Sequence, residues 1–208
     1  AKKTYERFKE IEINGFTIED DKNFGRKIAN EIINNPTEYK LLNKENHAEI
    51  YNYLNGILDR ILQSGNVKHK DEFDWKLFII DDDQIINAQC SPGGVILIYT
   101  GILKYFDNEA ELAGVLAHEI GHADNRHSTR QLTKQVGIQF MLDVIIGEDE
   151  KIIKQYTTQL IGLRYSRKYE READKSSVKY LCSTEYDAAG AAGFFKKISN
   201  ENENSNLG

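Results

Sequence analysis

Two amphipathic stretches open the chain. Over residues 21–34 the apolar positions Phe24, Ile28, Ile32 and Ile33 keep the spacing of one helical face. Pro36 closes that segment, because the residue before a proline is pushed out of the helical region. A second stripe, Ile50, Leu54, Ile57, Leu58, Ile61 and Leu62, predicts a helix over 45–63, stopped by Ser64-Gly65-Asn66. The pattern then changes character. Segments 73–80, 85–90 and 95–100 are short runs rich in β-branched and aromatic residues, separated by Asp81-Asp82-Asp83 and Ser91-Pro92-Gly93-Gly94, and read as three strands. After Gly101 the period is helical again. Helices, a small sheet and more helices predict one α+β domain over 1–208. Its parts are N-terminal helices in 1–66, a three-stranded antiparallel sheet in 73–100 and a helical remainder in 108–200.

The segment NEAELAGVLAHEIGHADNRH carries the candidate chemistry. Asn108 can cap it, and Glu111 stands where a capping box needs its acid. His118 and His122 are one helical turn apart, so both imidazoles can reach one ion. Leu112, Leu116, Ile120 and Ala123 form a core stripe roughly 150° away from them. Glu119 lies about 100° round the helix from His118. It cannot readily bind the same ion, but it can reach a water on it. Two ligands with a general base just off their face are what metal-assisted hydrolysis needs. The plainer reading is a pair of surface histidines.

A catalytic zinc typically takes three protein ligands and leaves one position open. The segment YSRKYEREADKSSVKYLCS predicts a helix over 165–182 with Glu170, Asp174, Ser177, Val178 and Leu181 on one face. The C-terminal half of that face is apolar, so the face is expected to be buried and its carboxylates to need partners. Glu170 is the expected third ligand. Asp174, one turn on, is expected to accept from a ligand histidine and fix its tautomer. Glu172 points about 160° away from Asp174 and is expected in solvent. The competing reading of this helix is surface ion pairing of Glu170 with Arg167 or Lys168. His127 is expected in a structural or polar role off the ion, and His47 and His69 at the surface.

Composition narrows the rest. A formal net charge of −6 argues against nucleic acid as a partner. Cys90 and Cys182 stand far apart and are expected to be small buried residues rather than a disulfide. No apolar run approaches the ~20 residues of a membrane helix; the longest, 136–146, is broken by Gly137, Gln139 and Asp143. The apolar stretch between His127 and Tyr165 predicts a helical hairpin packed over the domain, with a cover for the site or a membrane- or partner-facing surface as alternatives. The chain starts Ala1-Lys2-Lys3 without an initiator Met, so a targeting segment is expected to have been removed. Its Asn/Glu-rich end is expected to be solvated.

Taken together, His118-Glu-Ile-Gly-His122 and Ser166-Arg167-x-x-Glu170-x-x-Ala173-Asp174 resemble the metallopeptidase family of the HtpX heat-shock protease and the CAAX prenyl endopeptidase. The likeness is closer to the family's soluble bacterial cell-envelope branch. Asn87-Ala88, Pro92-Gly93-Gly94, Tyr99-Thr100-Gly101 and Glu111-Leu112-Ala113-x-Val115-Leu116-Ala117 match in the family's order. The resemblance implies a zincin-like fold and one zinc ion per chain on His118, His122 and Glu170. It implies Glu119 as the catalytic base, with Asp174 supporting the site. It further implies an endopeptidase acting on proteins or peptides in the periplasm or cell envelope, near a membrane. In that picture strand 95–100 is the sheet edge along which an extended substrate lies, touching Val95, Ile96 and Leu97; a plain core strand fits the same composition.

Two features depart from the family pattern. A Thr/Ser-His-Pro segment common beyond the ligand helix has no counterpart, which leaves the oxyanion donor open among Tyr165, Arg167 and Tyr169. The spanning helices of integral-membrane members have no counterpart either. The competing function is a zinc-stabilised latent or chaperone-like binding module, marked by a fourth protein ligand such as His127. A metal-free acidic interaction domain is the third.

Overall fold

The computed structural model describes residues 16–137 and 150–205. Helix α1 (Ile18–Asn34) starts before its apolar stripe does, because Thr17 caps it: its hydroxyl accepts from the Asp20 N–H while the Asp20 carboxylate accepts from the Thr17 N–H at 2.8 Å. Ile33, expected on the buried face, is 51 % exposed. Helix α2 (Ala48–Leu62) buries its whole predicted stripe except Ile50, which is partly covered. Strands β1 (Lys76–Ile80) and β2 (Ala88–Ser91) follow, and a 3-10 turn (Pro92–Gly94) leads into β3 (Val95–Tyr99). Six helices complete the described chain: α3 (Thr100–Leu103), α4 (Glu109–Asp124), α5 (His127–Val136), α6 (Glu150–Ile161), α7 (Arg167–Leu181) and α8 (Gly190–Ser205).

The sheet is mixed, not antiparallel throughout. Its order is β1-β3-β2. The tight Pro-Gly-Gly turn folds β3 back antiparallel on β2, with Cys90 opposite Ile96. β1 joins the other side of β3 and runs parallel to it, Leu77 opposite Ile96. The strand expected at the edge is therefore the middle one. Val95, Ile96 and Leu97 are 2 %, 0 % and 0 % exposed, with paired backbone on both sides. The outer strands are β1, which carries one isolated bridge from Leu41 to Ile80, and β2.

Both faces of the sheet are covered. Leu77, Ile79, Ile96 and Ile98 pack with α2 and α4, while Phe78, Ile80, Leu97 and Tyr99 pack with α1 and α6. A strand buried on two sides needs no polar alternation, which is why Val95–Tyr99 is apolar throughout. Leu132 of α5 and Tyr156 and Leu160 of α6 join the second cluster. The apolar run 138–146 lies outside the described residues. Cys90 is buried as expected, but Cys182 is exposed, because it caps α7 one position past the last buried turn. No described helix is long and apolar enough to cross a membrane.

Candidate metal centre

Helix α4 is held at its start by Asn108, whose side chain accepts from the Glu111 N–H at 3.0 Å. Glu111 reaches back to the Asp107 N–H at 3.1 Å instead of to Asn108, so the reciprocal half of the expected capping box falls one residue earlier. Leu112, Leu116, Ile120 and Ala123 are buried, as their stripe predicts. Helix α7 crosses α4 closely at Gly121. A Cβ there would stand 3.0 Å from the Ala173 carbonyl oxygen and 3.1 Å from the Ser176 Cβ. Hydrogen bonds lock the crossing. Asn125 Nδ2 donates to Ser176 Oγ at 2.8 Å, and the Tyr180 hydroxyl donates to Asp124 Oδ2 at 2.6 Å.

This close approach carries Glu170 to the histidines. His118 Nε2 and His122 Nε2 lie 3.0 Å apart, and Glu170 Oε2 lies 3.3 Å from the first and 3.6 Å from the second. Zinc–ligand distances of about 2.0–2.1 Å in a tetrahedral arrangement separate donors by roughly 3.3 Å. The three atoms are thus spaced to hold one metal ion. No other such group of His, Cys, Asp or Glu donors occurs among the described residues.

The electrostatics point the same way. Burial works against a charged His118, but hydrogen bonds to Asp174 and Glu170, with the Glu119 charge nearby, outweigh it and lift its pKa to about 10. Hydrogen bonds from His118 and His122 hold Glu170 well below the usual carboxylate range. The pocket therefore favours positive charge among these donors, and a divalent cation would supply it. Glu119 is different. Burial raises its pKa, and the neighbouring His122 and His118 only partly oppose this. Its Oε2 accepts from the Cys90 N–H at 3.1 Å. That N–H points away from β3, so the free edge of β2 faces the site. A cavity of about 200 Å³ opens here, walled by Asn87, Ala88 and Gln89 on one side and by the donors and Tyr165 on the other.

Asp174 Oδ1 lies 3.0 Å from His118 Nδ1. The face that carries it is less buried than predicted. Asp174 is 62 % and Glu170 44 % exposed, and Val178 lies outside the core at 46 %. The buried residues of α7 are Tyr169, Ala173, Ser177, Tyr180 and Leu181, so both carboxylates stand at the rim of the packed face.

Glu172 is not free in solvent. Its Oε2 lies 3.0 Å from His127 Nε2 and 3.2 Å from Arg130 Nη1. His127, 0 % exposed, sets its other nitrogen 3.0 Å from His122 Nδ1, on the side away from the donor triangle. The cause is local. Arg126 adopts a left-handed conformation at φ 58°. Its guanidinium holds Asp21 and donates to the carbonyls of Phe16 at 2.6 Å and Thr17 at 2.9 Å. The chain breaks there and restarts as α5, which swings His127 under His122. A continuous helix would have set the two about 140° apart. Burial and the charge of His122 push the His127 pKa down, which keeps the ring neutral.

Of the three candidate oxyanion donors, Tyr165 lines the cavity. Its ring stacks on His122 at 4.1 Å, and its hydroxyl is 2.7 Å from Ser128 Oγ. Tyr169 stacks on His127 instead and accepts from Lys134, and Arg167 is exposed at the start of α7. His47 is exposed as expected, whereas His69 is only 20 % exposed, pairing with Glu72 and packing on Phe73.

Comparison with known proteins adds the lineage. Residues 50–205 match the model of peptidase family M48. The chain is 32 % identical over 133 residues to the mitochondrial metalloendopeptidase OMA1 of Arabidopsis thaliana, a match covering 62 % of this chain and 27 % of that protein. It is 28 % identical over 160 residues to the beta-barrel assembly-enhancing protease of Escherichia coli strain K12, with coverages of 70 % and 32 %. The metalloprotease YcaL of the same strain is 27 % identical over 141 residues, with coverages of 64 % and 54 %. The matches thus span from about a quarter to about half the length of these relatives. The family match runs from within α2 to the end of α8 and takes in every member of the donor set, and the chain accordingly belongs to peptidase family M48, a family of metal-dependent peptidases.

Proposed function

We propose that the chain is a zinc-dependent endopeptidase, with zinc on His118, His122 and Glu170 and Glu119 as the general base. One observation carries this reading: a triangle of donors 3.0, 3.3 and 3.6 Å apart stands beside a carboxylate that is held by a backbone N–H and is not part of the triangle. Zinc, when bound, acidifies a water toward a pKa of ~7 and polarises the scissile carbonyl. Glu119 accepts the proton of that water and delivers it to the leaving amine. The Cys90 N–H fixes the carboxylate in place, and its raised pKa suits a group that must both take and return a proton. Asp174 orients His118, and His127 orients His122. The substrate adds as a strand to the outer edge of β2, which pairs with no other strand among the described residues.

The set of three donors, with His127 turned to the far nitrogen of His122, supports an open catalytic site over a latent or chaperone-like one closed by a fourth ligand. We place the chain in the cell-envelope branch of the family. In support are the relatives named for β-barrel assembly and the lack of a membrane-spanning helix among the described residues.

The test is Glu119→Gln. That protein is expected to keep one zinc per chain by metal analysis while peptide hydrolysis falls by about 10²–10⁴-fold. A variant that cleaves as fast as the parent removes Glu119 from the mechanism. A parent protein that purifies without zinc, and gains no activity when zinc is added, removes the metal.

A further inference from the structure

A second cavity, of about 160 Å³, is lined by Glu119 but by none of the three metal donors. It shares Asn87, Ala88 and Glu119 with the metal cavity, so the two are immediate neighbours. Its other walls are apolar: Ile86, Ile102, Val115, Phe194 and Ile198. Val115 precedes Glu119 by one turn of α4 and so lies beneath the carboxylate. The far wall depends on a close helix crossing. A Cβ on Gly114 would stand 2.2 Å from the Ala191 nitrogen, so only glycine lets α8 approach and bring Phe194 and Ile198 against α4. An engineered apolar cavity of about 150 Å³ is known to take a benzene ring. This one therefore has room for a single large apolar side chain.

The rim carries an independent sign. Ile85 and Ile86 are 40 % and 39 % exposed, adjacent in sequence on the approach to β2, and two of the five exposed large hydrophobic residues among those described. Neither belongs to a core cluster, and Ile86 lines the cavity itself. Along an extended chain added to β2 successive side chains point to opposite faces of the sheet. Asn87 and Ala88, at the start of β2, border both this apolar cavity and the metal cavity.

We propose that this cavity is a specificity subsite for the residue just after the scissile bond, and that it selects Leu, Phe or Met there. The assignment rests on Glu119 acting as the base. The leaving amine must come within hydrogen-bond reach of Glu119 to be protonated, so the residue bearing that amine lies on the Glu119 side of the metal, over this cavity. The reacting bond lies over the donors.

The test uses internally quenched peptides that differ only in that residue, Leu, Phe or Ala, cleaved by the zinc-loaded full chain. Removing several buried methylenes costs at least 1–3 kcal/mol, so kcat/KM for the leucyl and phenylalanyl peptides should exceed that for the alanyl peptide by tenfold or more. Ile198→Phe, which fills the cavity from the rim, should cut that ratio at least tenfold, and Ile198→Ala should shift preference from Leu toward Phe. Zinc content of each variant reports that the site is intact. Glu119→Gln protein should bind the leucyl peptide more tightly than the alanyl one, which reads the subsite without turnover. Equal rates and equal affinities for the three peptides overturn the proposal, as does a ratio unmoved by Ile198→Phe. If Glu119→Gln cleaves like the parent, the functional reading fails; if it is inactive but the peptides are indistinguishable, the subsite alone fails.

Discussion

His127→Ala tests whether the buried chain from His122 to Glu172 supports the metal. To offer Nε2 to an ion, His122 must carry its proton on Nδ1, and that N–H must find an acceptor. His127 Nδ1 is the acceptor at 3.0 Å, and its Nε2–H in turn donates to Glu172 at 3.0 Å. His122 is 2 % and His127 0 % exposed, so no solvent stands ready to replace the partner. A buried donor left unpaired costs about 1–3 kcal/mol, which is a roughly 5- to 150-fold loss of zinc affinity. The other outer partner sets a scale. Asp174 Oδ1 stands at the same 3.0 Å from His118 Nδ1, and Asp174→Asn removes its charge but keeps an acceptor oxygen there. With an acceptor retained, Asp174→Asn should weaken zinc less than His127→Ala, which leaves none. Zinc affinity is measured by competition with a chromophoric chelator at neutral pH. Melting of the metal-free proteins separates the loss of the His127 ring, which also stacks on Tyr169 at 4.5 Å, from the loss of the hydrogen bond. Glu172→Gln, which keeps an acceptor for His127, should fall between the two. The order is the claim: Asp174→Asn weakening zinc more than His127→Ala would refute it, as would a His127→Ala protein that binds like the parent.

Two further outcomes follow from the same geometry. Gly121→Ala puts a methyl 3.0 Å from the Ala173 carbonyl oxygen, so α7 must shift and take Glu170 with it; we expect a stability loss of about 1–3 kcal/mol and reduced zinc content, and an unchanged denaturation midpoint with full zinc would contradict the close-crossing argument. The metal-free protein should lose stability on the alkaline side. His118 has a folded pKa of about 10, above the ordinary imidazole value of ~6.5. Its contribution is fully present below about pH 6.5 and lost as pH rises toward 10. Glu170 is depressed, so its contribution is present above ~4.3 and lost as pH falls toward its folded value. Melting temperatures of chelator-treated protein should drop from about pH 6 to about pH 10, and zinc should abolish the drop by taking the place of the His118 proton; a flat alkaline profile without metal would count against this charge balance.

What could be read from the amino-acid order alone was whatever a single helix dictates. His118, Glu119 and His122 are fixed relative to one another by the helical repeat, and Glu170 and Asp174 by the same repeat on another helix, so their pairing needed only the two helices to meet. The residue that lets them meet, Gly121, sits inside the His-Glu-x-x-His segment itself. Strand order was not legible in this way. β3 is the middle strand because β1 chose its far side, a contact made across the whole β2 hairpin, and an apolar run of β-branched residues reads the same at an edge as in the middle when both faces are covered.

Glu172 shows the limit most clearly. The helical repeat places it correctly, away from Asp174, and the inference that it therefore faces water fails only because α5 occupies that side. What brings α5 there is one non-glycine residue, Arg126, held at φ 58° by bonds to Asp21 and to the carbonyls of Phe16 and Thr17. Those partners lie about a hundred positions earlier, and nothing near Arg126 announces them. The support of His122 thus depends on the docking of α1. Loosening that contact would free His127 without touching any donor, so the metal site and the first helix are expected to lose order together.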